Sequence, residues 1–279
     1  MKDQGQGVPA EAAAQLHIFR KRLPLQVCLQ ETLRSLGSTD GQNCLDIGDD
    51  NGMIGYHLRK HGGKWSSVVT SPEALATVKQ VLPENAFLME KNTLPFKKKT
   101  FDCVVVVCAL ERFQNDSAFI EECHRVLKPD GRLVVNVART KSVSLVNLVR
   151  RALGVTLQKK GWIRGGYTES ELFTILKDGF DVHNMRSYSR LFIELVDAVV
   201  ARLSLGRAVE DGGDPRLKRM FSIAGPFYRL AFQLDMLLFF SRGHHLIATA
   251  KRRAWSPRKA PILVDGRSIT EAVLSRPGI

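Results

Sequence analysis

The sequence is poor in acid. Against 41 Lys and Arg it sets 28 Asp and Glu, so its 279 residues carry a formal net charge of +13. The imbalance calls for an anionic partner, and a membrane surface, a nucleic acid or a phosphorylated substrate would each satisfy it. No Cys-x-x-Cys pair occurs among the five cysteines, at 28, 44, 103, 108 and 123. Their odd number and the apolar runs around Cys44, Cys103 and Cys108 exclude a disulfide or zinc framework and predict reduced core residues of a cytosolic protein. MKDQGQGVPAEAAAQ has no apolar stretch after a basic start, so no secretory signal is expected, and no internal repeat is found. What is present is a hydrophobic share of 44%, ample for a sizeable core.

From Asn43 onward short apolar runs alternate with amphipathic stretches. Strands are predicted at 43–47, 66–70, 85–89, 101–108 and 132–138, with helices near 51–61, 72–81 and 116–128. VVVV at 104–107 is apolar at every position, as a central strand covered on both faces requires. KPDGRLVVNVA supplies a Pro-Asp-Gly turn and then a β-branched run. Thr168 is an expected N-cap for ESELFTILKDG, FDVHNMRSYSR a sixth strand and HHLIATAKR the last. The fold class is therefore α/β, a doubly wound sheet whose ligand edge carries Gly48–Gly52, Val69–Ser71, Glu90–Thr93 and Cys108–Arg112. Residues 1–40 read as a helical flank, with Leu16, Phe19, Leu23, Val27, Leu33 and Leu36 on one amphipathic helix kinked near Pro24. Residues 41–251 read as the main domain, with a helical insertion at about 191–241, and 252–279 as a basic, loosely ordered tail.

CLDIGDDNG, VVTSPEAL, NTLPFKKKTFDCVVVVCALERF and FIEECHRVLKPDGRLVV follow one another over residues 43–138. In order and spacing they resemble class I S-adenosylmethionine-dependent methyltransferases of the type 11 group. A dinucleotide oxidoreductase is disfavoured, because no G-x-G-x-x-G follows the first strand. The resemblance implies a Rossmann-like seven-stranded sheet, S-adenosyl-L-methionine as cofactor and methyl transfer as the reaction. It implies a glycine loop of Asp46, Gly48 and Gly52 against the methionine half of the cofactor, and Glu90, followed by Asn92, beside the adenine.

Two positions depart from that pattern. Asp50 replaces a second glycine, and Val69 stands where an acid would bind the ribose hydroxyls, leaving Thr70 or Ser71 to substitute with a neutral bond. Cys108 completes the expected cofactor edge. CALERF keeps Glu111 but has Arg112 where relatives carry histidine, so Glu111 is either a helix-initiating surface carboxylate or a substrate contact. His124 reads as a surface residue and His183 as an edge residue, while His244 and His245 enter the last strand near the acceptor side. KKGWIRGGYTESEL offers Trp162, Arg164 and Tyr167, on either a substrate loop or a packed one, and Tyr167 joins Glu111 as a catalytic candidate. No metal site is expected.

The insertion contains LFIELVDAVVARL and FSIAGPFYRLAFQLDMLLFF. Arg229 and Asp235 argue against spanning, since each would cost about 2.5–3.5 kcal/mol near a bilayer centre. Glu194, Asp197 and Ala201 share the narrow polar face of the first segment, and Ser222, Arg229 and Gln233 that of the second. Their broad apolar faces either pack together on the sheet or meet a membrane surface. Lys218, Arg219, Lys251, Arg252, Arg253, Arg258 and Lys259 nearby would suit anionic headgroups. The sequence thus predicts a cytosolic methyltransferase, peripheral to the inner membrane face, with a small-molecule or lipid-linked acceptor. The competing reading is a non-catalytic binding protein whose cofactor site Asp50 and Val69 have spoiled. Nucleic acid is the weaker partner, for want of a binding motif.

Overall fold

The computed structural model describes residues 10–48, 51–140, 145–155, 161–189, 191–204, 215–238 and 241–256. Its strands are β1 (Asn43–Ile47), β2 (Lys64–Val69), β3 (Ala86–Leu88), β4 (Phe101–Val107), β5 (Leu127–Ala138), β6 (Phe180–Tyr188) and β7 (His245–Arg252). They form one sheet in the order β3-β2-β1-β4-β5-β7-β6. The first five run parallel, and β7 lies antiparallel between β5 and β6. β4 sits at the centre because its side chains are apolar on both faces. Val104 and Val106 enter the core on one side of the sheet, and Cys103, Val105 and Val107 on the other, as the two-residue period of a strand demands.

The helices are α1 (Ala10–Lys21), α2 (Leu23–Leu36), α3 (Met53–Lys60), α4 (Pro72–Val81), α5 (Asp116–Val126), α6 (Leu145–Ala152), α7 (Glu169–Leu176), α8 (Leu191–Leu203) and α9 (Pro215–Leu237). α5 and α7 cover the Val104 face, α2, α3 and α4 the opposite one. The single kinked helix expected at the amino end is two helices, broken at Arg22, where φ is −92° and ψ 88°. Pro24 has no amide hydrogen to continue α1 and instead occupies the first turn of α2, where none is needed. α7 starts as expected on a capping box, with the Thr168 hydroxyl accepting from the Glu171 amide and the Glu171 carboxylate from the Thr168 amide.

None of the five cysteines is in a disulfide, and four are buried while Cys108 is half-buried. His124, expected at the surface, is buried in α5, its Nε2 2.8 Å from the Arg253 carbonyl and its ring edge-on to Trp255. The reason is the chain after β7. Arg253 and Ser256 donate their amides to the Gly179 and Asp178 carbonyls, folding Trp255 over α5 where a loose tail was expected to begin.

Candidate active site

The strand order reverses between β1 and β4, so the crevice of a doubly wound sheet opens at their carboxyl ends. Parallel register brings the expected residues to this one edge: Ile47 pairs with Val68 and Val106, and Val69 with Leu88. The Gly48 amide donates to Val68, the Met89 amide to Val69 and the Cys108 amide to Asn136. Two surface clefts, one lined by Asn43, Lys64 and Phe101 and the other by Gln42, Asp102 and Lys251, lie at the opposite edge, by the amino-terminal ends of the parallel strands.

After β1, a Cβ on Gly48 would come within 3.1 Å of the Val107 carbonyl, so glycine lets the turn pass close to β4. Gly52 has φ +79° and opens α3 from the left-handed region. It offers no side chain to cap the helix, and the first turn of α3 holds no acid. The amides and partial positive charge at that end suit a carboxylate. Asp50 lies outside the described residues. Asp46 faces away from this opening, for its Oδ1 accepts from the Ser67 hydroxyl at 2.7 Å and from Arg59 Nη1 at 3.4 Å. Gly55 makes room for it, since a Cβ there would stand 2.8 Å from Asp46 Oδ2. The sequence reading missed Gly55, Arg59 and Ser67, although a glycine inside a short helix is a visible signal.

Val69 is 1% exposed, an apolar end to β2. Beyond it Thr70 and Ser71 are half-exposed, and the Ser71 hydroxyl caps α4 by accepting from the Ala74 amide at 3.1 Å. After β3, Glu90 and Asn92 are both exposed, on a tight turn closed by the Thr93 amide donating to the Glu90 carbonyl. Asn92 holds φ +63°, a conformation its short amide tolerates. Cys108 ends β4 with φ +49°.

Glu111 is 0% exposed, which removes the surface-carboxylate alternative. It lies on a short 3-10 turn, Leu110–Arg112, where Oε1 accepts from the Ala138 amide at the end of β5, and its carbonyl accepts from the Ile163 and Arg164 amides. Oε2 is sealed from solvent with no hydrogen-bond partner. Burial pushes this carboxyl above its ordinary pKa, only partly offset by the Ala138 amide and the nearby His245. Glu111 therefore ties the β4 end to the β5 end and to the loop at Ile163 and Arg164.

Tyr167, the other catalytic candidate, is fully buried, and its hydroxyl donates to the Leu110 carbonyl at 3.2 Å and to Asp116 at 3.1 Å. Arg164 lies over its ring at 4.0 Å and pairs with Asp116 and Glu171. The loop is thus packed at these two residues, because an arginine bracketed by acids on α5 and α7 pins it down. His183 is exposed and His244 buried.

A polar network that the sequence reading missed crosses the same edge. Asn136 on β5 donates to the Thr32 hydroxyl at 3.1 Å and the Cys28 sulfur at 3.3 Å, and accepts from the Tyr188 hydroxyl at 2.7 Å. Tyr188 stacks on His245, whose Nε2 stands 3.4 Å from Glu194. Arg150 Nη2 reaches Glu194 at 2.6 Å and the Ser189 hydroxyl also donates to it. Burial alone would push the Glu194 carboxyl up, but His245, Arg150 and Ser189 together hold it well below the carboxylate range, while Glu194 raises the His245 imidazole above its usual value.

Residues 45–135 match the methyltransferase domain family. The demethylmenaquinone methyltransferase of Tropheryma whipplei (strain Twist) is 30% identical over 105 residues, 37% of this chain and 44% of that protein. A Homo sapiens protein, arginine-hydroxylase NDUFAF5, mitochondrial, is 34% identical over 89 residues, 31% of this chain and 26% of its own length. The chain spans under half the length of both relatives. The solved S-adenosylmethionine-dependent methyltransferase from Mesorhizobium loti superposes with a TM-score of 0.53 at 16% identity, over 80% of this chain and 96% of that one. The sheet is that of a class I methyltransferase, and the chain carries a methyltransferase domain within it.

Proposed function

We propose that this class I methyltransferase domain transfers a methyl group from S-adenosylmethionine to a lipid-linked small molecule. The observation that carries the cofactor is the β1/β4 reversal, where the turn after β1 is bounded by Gly48 and Gly52 and α3 opens from a glycine with no acid inside its own first turn. That turn fits the carboxylate of the methionine half, and the exposed Glu90 fits the adenine side. The ribose has only the Thr70 and Ser71 hydroxyls, so its bonds are neutral and the cofactor is held less tightly than a charge-assisted contact would hold it.

When bound, the cofactor supplies an electrophilic methyl on sulfonium, whose transfer requires alignment more than a dedicated base. The chain's own contribution is positional. Glu111 fixes the end of β5 against the end of β4, and Asn136, Tyr188 and His245 hold β5, β6 and β7 in register beside it.

Two observations support a lipid-linked acceptor: the T. whipplei relative is named for an isoprenoid quinone, and apolar side chains crowd the surface beside this edge. The test is to incubate the protein with methyl-labelled cofactor and a short-chain demethylated isoprenoid hydroquinone. Label that partitions into the organic phase with time is the expected result. No label above a protein-free control, despite saturable cofactor binding, would refute the acceptor. The buried Val69 favours a second reading, a methyltransferase-fold protein without transferase activity, and absence of cofactor binding would establish it in place of the first.

A further inference from the structure

The helical hairpin of α8 and α9 is built inside out. The acidic residues described on its two helices face inward: Glu194 meets Arg150 and His245, Asp197 accepts from Arg22 and the Tyr228 hydroxyl, and Asp235 accepts the Phe192 and Ile193 amides that begin α8. These three are buried, with Phe221, Ala224, Tyr228 and Ala231 forming the rest of the inner stripe of α9. The outer surface is left to Val199, Leu203, Ile223, Phe227, Leu230 and Leu237, each between 47% and 69% exposed. Of the large hydrophobics exposed in the described residues, all but Phe87 and Phe173 lie on α6, α8, α9 or at Ile163. A cleft of about 630 Å³ runs between the two helices, walled by Leu195, Val199, Ile223 and Phe227. The charges that remain outside are basic, namely Arg202, Arg219 and Arg229.

We infer that this face docks on an anionic lipid bilayer. A broad apolar surface of this kind marks an interaction site, and charge decides the occupant. On the described helices Glu194, Asp197 and Asp235 are turned into the protein and Arg202, Arg219 and Arg229 are turned out, on a chain of net charge +13, so the surface is complementary to negative headgroups over a hydrocarbon boundary. No described helix is long and apolar enough to cross a membrane, which fits lying in the interface. The hairpin is also rooted at the crevice, because α8 follows the end of β6 and α9 leads to the start of β7, where Tyr188 and His245 pair. Docked this way, the edge that carries Glu111 and Ala138 lies near the lipid surface. The inference rests on the lipid-linked acceptor for its purpose, though not for its test.

The test is co-sedimentation of the full chain with vesicles of phosphatidylcholine alone and of phosphatidylcholine with 30 mol% phosphatidylglycerol, an arbitrary probe composition of roughly physiological charge. The protein is expected to pellet with the anionic vesicles and be released by salt. Arg219→Gln with Arg229→Gln should weaken partition about 30-fold, at roughly fivefold per charge. Ile223→Ser with Phe227→Ser should weaken it by about tenfold or more. Both pairs are exposed, so the thermal melt and cofactor titration should stay unchanged and exclude misfolding. Equal binding to neutral vesicles, no binding to either, or a concentration-dependent dimer that the Ile223/Phe227 pair abolishes would overturn the inference. Vesicle binding without cofactor binding would sink the methyl-transfer reading alone, and the reverse would sink the docking surface alone.

Discussion

The first five strands and the α8–α9 hairpin solve the same burial problem in opposite ways. Between Asn43 and Ala138 most apolar side chains go inward, and of the described carboxylates only Glu111 is fully buried. In the hairpin the carboxylates go inward and much of the apolar surface stays out. The difference teaches that amphipathicity fixes a stripe without fixing which stripe faces the protein. Where a buried acid finds Arg150, Arg22, His245 or two free helix amides, the polar stripe can be the inner one.

Removing a buried group should cost most in either region, an acid in the hairpin as much as an aromatic ring in the sheet core. Glu194→Ala strands the Arg150 and His245 charges and should cost about 3–5 kcal/mol in urea unfolding. Phe119→Ala, in the sheet core, should cost a similar 3–5 kcal/mol through its cavity. A loss under about 1 kcal/mol for Glu194→Ala would break the comparison. Asp235→Ala removes a side-chain cap of α8 and should cost about 1–2 kcal/mol.

The pH dependence is a finer probe of the same ion pair. Glu194 is lowered, so its stabilisation is complete above the unfolded carboxylate value of about 4.3 and is lost as pH falls through the folded one. His245 is raised, so its stabilisation is complete below about 6.5 and is lost as pH rises through the folded value. The stability gap between wild type and Glu194→Gln should therefore narrow as pH climbs above about 6.5, measured by urea midpoints across pH 5–9. A gap constant over that range would remove His245 from the pair. The smallest effect is expected at the outer face, where Phe227→Ser, at a side chain 60% exposed, should change stability by within about 0.5 kcal/mol.

Much of the sheet was legible because local pattern and global position agree there. VVVV at 104–107 and the Thr168 cap each specify structure from within a few residues, and the strands fall within a few residues of where they were expected, although Pro129–Gly131, expected as a turn, lies inside β5. The glycine turn was legible for the same reason. Glu111, Asn136, Glu194 and His124 were not, because what buries each of them is distant in sequence: Ala138, Thr32, Arg150 and Trp255 respectively. α6 escaped notice as a helix of only eight residues with one buried side chain, Val146.

The edge from Gly48 to Glu90 is expected to hold S-adenosylmethionine although β2 ends in the buried Val69. Calorimetric titration of the full chain with S-adenosylmethionine, and with S-adenosylhomocysteine as second ligand, tests it most directly. Saturable binding in the micromolar range, tightened by Val69→Asp through about 1–2 kcal/mol of charge-assisted hydrogen bonding, is the predicted result. No heat of binding at millimolar ligand, in the wild type and in Val69→Asp alike, would contradict it.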